Sequence, residues 1–211
     1  MASRRDRTLT PTPERCEGRS LAALIFLFNG NAFDEARPGP LTDDAARVLR
    51  AAGHQVIPLA YPHLNAPSAL DAVARRVAAL AHGRPVALVG FSAGGSLALR
   101  LSAVPSLHVT DVLDEYGPPD ARDDLAARNP HPIRGLAPFD KATVALFSGP
   151  VNTSAHVVAT FGLSDPGVKA APSAASLRRD LPGVHIYLYR GAHGVPITAS
   201  RPALEDFLAH L

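Results

Sequence analysis

Six short apolar runs recur along the chain, at 21–28, 54–60, 85–91, 108–115, 156–161 and 184–189, and most are continuously apolar rather than alternating. A strand that is apolar at every position is covered on both faces, so these runs predict buried strands of a parallel sheet. Between them lie stretches with apolar residues at helical spacing, at 41–52, 68–81, 95–103, 141–147, 174–181 and 201–211. Parallel strands need crossover helices, and such crossovers are right-handed. The pattern therefore predicts an α/β chain with a doubly wound, mainly parallel six-stranded sheet and helices on both faces. The segment 117–140 breaks the rhythm with Pro118, Pro119, Pro130, Pro132 and Pro138, and reads as an excursion over one sheet edge with the dimensions of a small lid.

The third strand run passes into a signal that carries chemistry: Gly90-Phe91-Ser92-Ala93-Gly94 stands between the apolar stretch 85–89 and the helix-compatible stretch 95–101. A bare G-x-S-x-G arises by chance, but its placement between strand and helix is the setting its mechanism requires. Glycines flank the serine because a Cβ there would collide with neighbouring backbone in so tight a turn. The turn also aims a helix N-terminus at Ser92, whose N–H groups and dipole stabilise an oxyanion formed when the serine oxygen attacks a carbonyl. Ser92 is thus the candidate nucleophile.

In an open parallel sheet, ligands sit beyond the carboxyl ends of the strands. His54, His82, His108, His156 and His185 fall at or near strand starts, and His210 lies in the last helix. His193, in Gly191-Ala192-His193-Gly194, and His63 follow strands, while His131 lies in the excursion. The flanking glycines of His193 suit a tight loop that lowers an imidazole into a cleft, which makes His193 the candidate base; His63 is a substrate-contact candidate or a plain surface residue. The same rule leaves Asp165 as the candidate acid, in the turn Gly162-Leu163-Ser164-Asp165-Pro166-Gly167, with Asp114 and Glu115 as rivals after the fourth strand run. A carboxylate is needed to hold the imidazole in the right tautomer, and an aspartate before proline also occurs simply as a turn former. Phe33, Phe91 and Tyr116 lie near strand carboxyl ends, as do Tyr61, Phe139 and Val195, and are candidates to line an apolar substrate pocket or to pack the loops.

Composition narrows the alternatives. With 211 residues, 46% of them hydrophobic and 19% charged, the chain suits one buried core, so residues 20–211 are expected to form a single domain. The net charge of +2 is small, and the basic residues concentrate in 1–19, which reads as a flexible basic tail. That charge distribution gives no broad footprint for nucleic acid. No apolar run is long enough to cross a membrane. The lone Cys16 cannot form an internal disulfide, which favours a reducing, cytoplasmic compartment. One cysteine excludes a thiolate zinc cluster, the histidines lack paired metal-ligand spacing, and no Gly-Lys-Ser/Thr follows the glycines to make a phosphate loop. Neither a metal nor an organic cofactor is expected.

Gly90-Phe91-Ser92-Ala93-Gly94-Gly95, Leu163-Ser164-Asp165-Pro166 and Gly191-Ala192-His193-Gly194-Val195, in that chain order, resemble the motif loops of the α/β-hydrolase superfamily, especially its small esterase and dienelactone-hydrolase-like members. The resemblance covers roughly residues 21–211 and implies a Ser-Asp-His triad cleaving an ester or thioester, small or carrier-bound, through an acyl-enzyme. It also implies a second oxyanion donor in the loop after the first strand, here the N–H of Asn31 beside that of Ala93. Two departures stand out. Many relatives carry a histidine where this chain has Asn29, and the opening β-hairpin of the family is missing, which predicts a trimmed, six-stranded version. The same scaffold hosts acyltransferases, lyases and cyclases, and a binding protein with a residual triad is a further reading.

Overall fold

The computed structural model describes residues 22–121 and 140–211. Six strands, β1 (Leu24–Phe28), β2 (Gln55–Pro58), β3 (Val86–Phe91), β4 (Val109–Glu115), β5 (His156–Gly162) and β6 (His185–Tyr189), form one sheet in the order β2-β1-β3-β4-β5-β6. Every neighbouring pair is parallel. The helices are α1 (Pro40–Ala51), α2 (Pro67–Ala81), α3 (Ala93–Ser102), α4 (Lys141–Leu146), α5 (Ala170–Asp180) and α6 (Arg201–His210), the last entered through a 3-10 turn at Ile197–Ser200.

Strand alternation divides the core into two layers. Leu24, Phe26, Phe28, Leu88, Val112 and Phe161 pack with α2, α3 and α5, whereas Ile25, Leu27, Val89, Leu113 and Val158 pack with α1 and α6. All five residues of β1 and all six of β3 are buried, which is why these strands read as unbroken apolar runs rather than alternating ones.

Strand boundaries follow the apolar runs closely, and helices differ mostly at their starts. α5 begins at Ala170, ahead of the predicted 174, because Pro172 sits within its first turn, where backbone N–H groups have no intrahelical acceptor and a proline removes no bond. α1 and α2 likewise open on Pro40 and Pro67.

The strand order places a switch point between β1 and β3. From β1 the chain turns outward through α1 to β2; from β2 it returns through α2 to β3 on the other side of β1. The loops leaving β1 and β3 therefore diverge and open a crevice at their carboxyl ends. The expected tail at 1–19, and most of the expected excursion with His131 and Phe139, lie outside the described residues.

Candidate active site

Ser92 occupies the turn between β3 and α3, with φ +54° and ψ −126°. A non-glycine residue in that region carries strain on the order of 1–3 kcal/mol, held in place by its surroundings. Here the surroundings are close backbone contacts. A Cβ on Gly90 would stand 2.0 Å from the Gly94 carbonyl oxygen, and one on Gly94 would stand 2.4 Å from that of Phe28. The Ser92 N–H donates to the Glu115 carbonyl at 2.8 Å, anchoring the turn to β4.

Three loops meet at this turn. His193 Nε2 lies 2.8 Å from Ser92 Oγ, and His193 Nδ1 lies 2.7 Å from Asp165 Oδ2. A carboxylate only accepts, so Nδ1 carries the proton, and the Nε2 lone pair is left to accept from the serine hydroxyl. The Asp165 side chain is fully buried, and its Oδ1 accepts from the N–H groups of Gly167 at 2.8 Å and Val168 at 2.9 Å. Asp165 is therefore both the turn former and the partner of the imidazole.

The loop carrying His193 is fixed from several sides. Tyr189 Oη donates to the Ala192 carbonyl at 3.1 Å, and Tyr116 Oη donates to that of Val195 at 3.1 Å. The Tyr116 ring meets the imidazole edge-on, with centroids 4.8 Å apart. Burial pushes the phenols of both tyrosines above their ordinary value, so they stay protonated as donors.

On the other side of Ser92 lies the loop after β1. A Cβ on Gly30 would come within 2.6 Å of the Phe91 carbonyl oxygen and of Ser92 Cβ, so glycine is what lets this loop close on the serine. The Asn29 carbonyl accepts from Tyr61 Oη at 2.6 Å, and Asn31 Nδ2 donates to the Glu35 carbonyl at 2.6 Å. Ala93 is buried as the first residue of α3, where the helix itself offers its N–H no acceptor. Ala93 directly follows Ser92 in the chain, and Asn31 follows Gly30 in the loop that closes on the serine.

The rival acids face elsewhere. Strand alternation sends Asp114 toward α3, where Oδ1 accepts from the Gly117 N–H at 2.8 Å, and Glu115 to the opposite face, where Oε2 accepts from Thr160 Oγ1 at 2.6 Å. Both are fully buried. Burial raises the Asp114 carboxyl well above the carboxylate range, and raises Glu115 to about 8 against the lowering effect of the Thr160 hydroxyl.

The aromatic candidates require a correction. Phe91 is wholly buried in the layer against α1 and α6, because its strand position repeats that of Val89. Phe33 is buried against Phe147, with ring centroids 4.4 Å apart. Tyr116 is buried beneath His193, which it supports, so none of the three presents a pocket surface. His63 is exposed and stands 3.7 Å from both Asp34 and Asp140, a surface charge cluster. Position at a strand end had suggested all four; which way each side chain points depends on strand register and loop path. Leu163, 58% exposed between β5 and Asp165, is an apolar side chain at this rim that the sequence reading passed over. A separate trio, His156, His185 and Asp206, has metal-like proximity, but it belongs to the opposite end of the sheet.

The all-parallel sheet with helices on both faces defines a class of fold, and solved structures share that fold. A Xanthomonas campestris protein assigned to the alpha/beta hydrolase superfamily superposes with a TM-score of 0.58 at 15% identity, over 89% of this chain and 96% of that one. An esterase from Pyrococcus furiosus gives a TM-score of 0.61 at 16% identity, over 89% and 78%. A carboxylesterase from Lactobacillus plantarum gives 0.61 at 15% identity, over 92% and 86%. No family model matches the chain, and no curated protein matches it. The chain has the α/β-hydrolase fold, with six parallel strands among the described residues.

Proposed function

We propose that the protein is a serine hydrolase that cleaves a carboxylic ester or thioester through an acyl-enzyme on Ser92. The observation that carries this reading is the continuous hydrogen-bonded series from Ser92 Oγ through His193 to the buried Asp165, at 2.8 and 2.7 Å. His193 Nε2 takes the Ser92 proton as Oγ attacks the carbonyl carbon, and the Asp165 carboxylate stabilises the imidazolium so formed. The oxyanion is held by the N–H groups of Ala93 and Asn31. His193 then returns the proton to the leaving alcohol or thiol, and in the second step it deprotonates the water that releases the acid.

Support comes from three directions: the strained turn that presents the serine, the glycine-lined approach of the loop after β1, and the esterase activity for which structural neighbours are named. The substrate is a small or carrier-bound acyl ester, and the setting is the cytoplasm that the lone Cys16 suggests. Acyl transfer to an acceptor other than water on the same serine is the second reading, favoured by the Asn29-Gly30-Asn31 sequence beside the nucleophile.

The test is turnover of short-chain p-nitrophenyl esters and acyl thioesters by wild-type protein and Ser92→Ala. The reading predicts hydrolysis that falls on the order of a thousandfold or more in the variant. Equal rates in both proteins would overturn it.

A further inference from the structure

At the amino-terminal end of the sheet, on the face covered by α6, three imidazoles and two carboxylates from separate segments converge. His156 opens β5 and His185 opens β6. The register pairs Val158 with His185, so His185 lies diagonally from His156 on the same face. Asp206 and His210 stand four residues apart on α6, which puts both on the side turned to the sheet.

The geometry is close. His156 Nε2 is 3.7 Å from Asp206 Oδ1, and His185 Nδ1 is 2.7 Å from Asp206 Oδ2. Candidate ligand atoms of His156, His185 and Asp206 all lie within 4.8 Å of one another. His156 Nε2 is itself buried and has no hydrogen-bond partner among the described residues. Buried polar atoms are normally paired, so a nitrogen left unpaired and directed at a carboxylate calls for a partner.

We infer that His156, His185 and Asp206 bind a divalent first-row transition cation, with zinc as the favoured occupant. Two imidazole nitrogens and one carboxylate oxygen are a donor set that suits zinc, nickel or copper rather than magnesium or calcium. Tetrahedral bonds of about 2.0–2.1 Å place ligand atoms roughly 3.4 Å apart, near the separation of the His156 and Asp206 atoms. His185, with a side chain 52% exposed, has room to rotate onto the ion, and its exposure leaves the fourth position to water.

The surroundings fit a supporting role. Tyr187 Oη donates to Asp206 Oδ2 at 2.9 Å and orients the carboxylate. The His210 ring stacks on His156 with centroids 4.1 Å apart and is itself held by Asp111 through Nδ1. β5 runs seven residues from His156 to Gly162, and at the rise of an extended strand the site lies roughly 20 Å from the turn that carries Asp165. The ion would clamp α6 to the β5–β6 edge and take no part in chemistry at Ser92.

Tag-free, full-length protein stripped with chelator tests this by calorimetric titration with zinc chloride, thermal melting with and without zinc, and visible absorption with cobalt(II). Wild type is expected to bind one equivalent, to melt higher with zinc, and to give the d–d bands of a four- or five-coordinate cobalt. His185→Gln at an exposed position, and Asp206→Asn, should each weaken binding more than about tenfold and abolish the melting shift, while His108→Gln leaves both unchanged. Absence of binding to wild type would overturn the inference. So would unchanged affinity in folded His185→Gln and Asp206→Asn proteins.

Discussion

One carboxylate oxygen of Asp165 closes the turn after β5 through Gly167 and Val168, while the other faces His193. An amide in its place keeps an oxygen for the turn but presents His193 with a donor or a weaker acceptor, which disturbs the tautomer that leaves Nε2 free. Asp165→Asn is therefore expected to keep its melting temperature to within a few degrees while losing on the order of a thousandfold to ten-thousandfold in ester hydrolysis. Initial rates and a melting curve on the same preparation check both halves. Tyr116→Phe removes the bond to the half-buried Val195 carbonyl and takes away the acceptor's phenol partner. Urea unfolding should show a loss of about 1–3 kcal/mol. At this scale the sequence was informative about position along the chain: Ser92, Asp165 and His193 each follow a strand, and their side chains lie within hydrogen-bond distance of one another. It was uninformative about Phe91, Phe33 and Tyr116, because burial depends on side-chain direction, which strand position alone does not determine.

The elements that shape the site do so through backbone contact. α3 approaches β1 so closely that Gly94 has the carbonyl oxygens of Phe28 and Asn29 at 2.4 and 2.6 Å from where a Cβ would stand. These are backbone atoms at the end of a central strand and just beyond it, and they cannot swing aside as a side chain would. Gly94→Ala is expected to destabilise the protein by about 1–3 kcal/mol or more and to reduce soluble yield, measured by urea midpoint. β4 adds a pH dependence. Folded Glu115 holds its proton to about 8, whereas the unfolded chain releases it near 4.5, so the native state binds more protons throughout that interval. Stability must then fall as pH rises between these values, and Asp114 on the same strand contributes with the same sign. Glu115→Gln should flatten the decline of the melting temperature over this range; a variant with the wild-type slope would assign the dependence elsewhere. Strands buried on both faces were legible from pattern, because local propensity and tertiary packing agree there, whereas α1, α2 and α5 start one to four residues before their apolar periodicity does. The trio on β5, β6 and α6 was not legible, since His156, His185 and Asp206 are brought together by register and helix docking rather than by spacing.

For the molecule as a whole, the sheet order is what unites these observations. β1 and β3 lie side by side although α1, β2 and α2 separate them in sequence, and their diverging loops bring Gly30 against Ser92. The turn after β5 and the loop after β6 then supply Asp165 and His193 at the same end of the sheet. Alternating strand and helix runs made this architecture legible, and the three solved structures compared above share it at 15–16% identity. Such distance carries the fold and leaves the chemistry to the site. The most direct test of that chemistry is intact-mass analysis after treatment with a fluorophosphonate, which reacts with a serine activated by a neighbouring base. One adduct on wild-type protein, absent from Ser92→Ala and from His193→Ala, is the predicted result. A folded wild-type protein that takes no adduct, or a Ser92→Ala protein that still takes one, would contradict the assignment of Ser92 as an activated nucleophile.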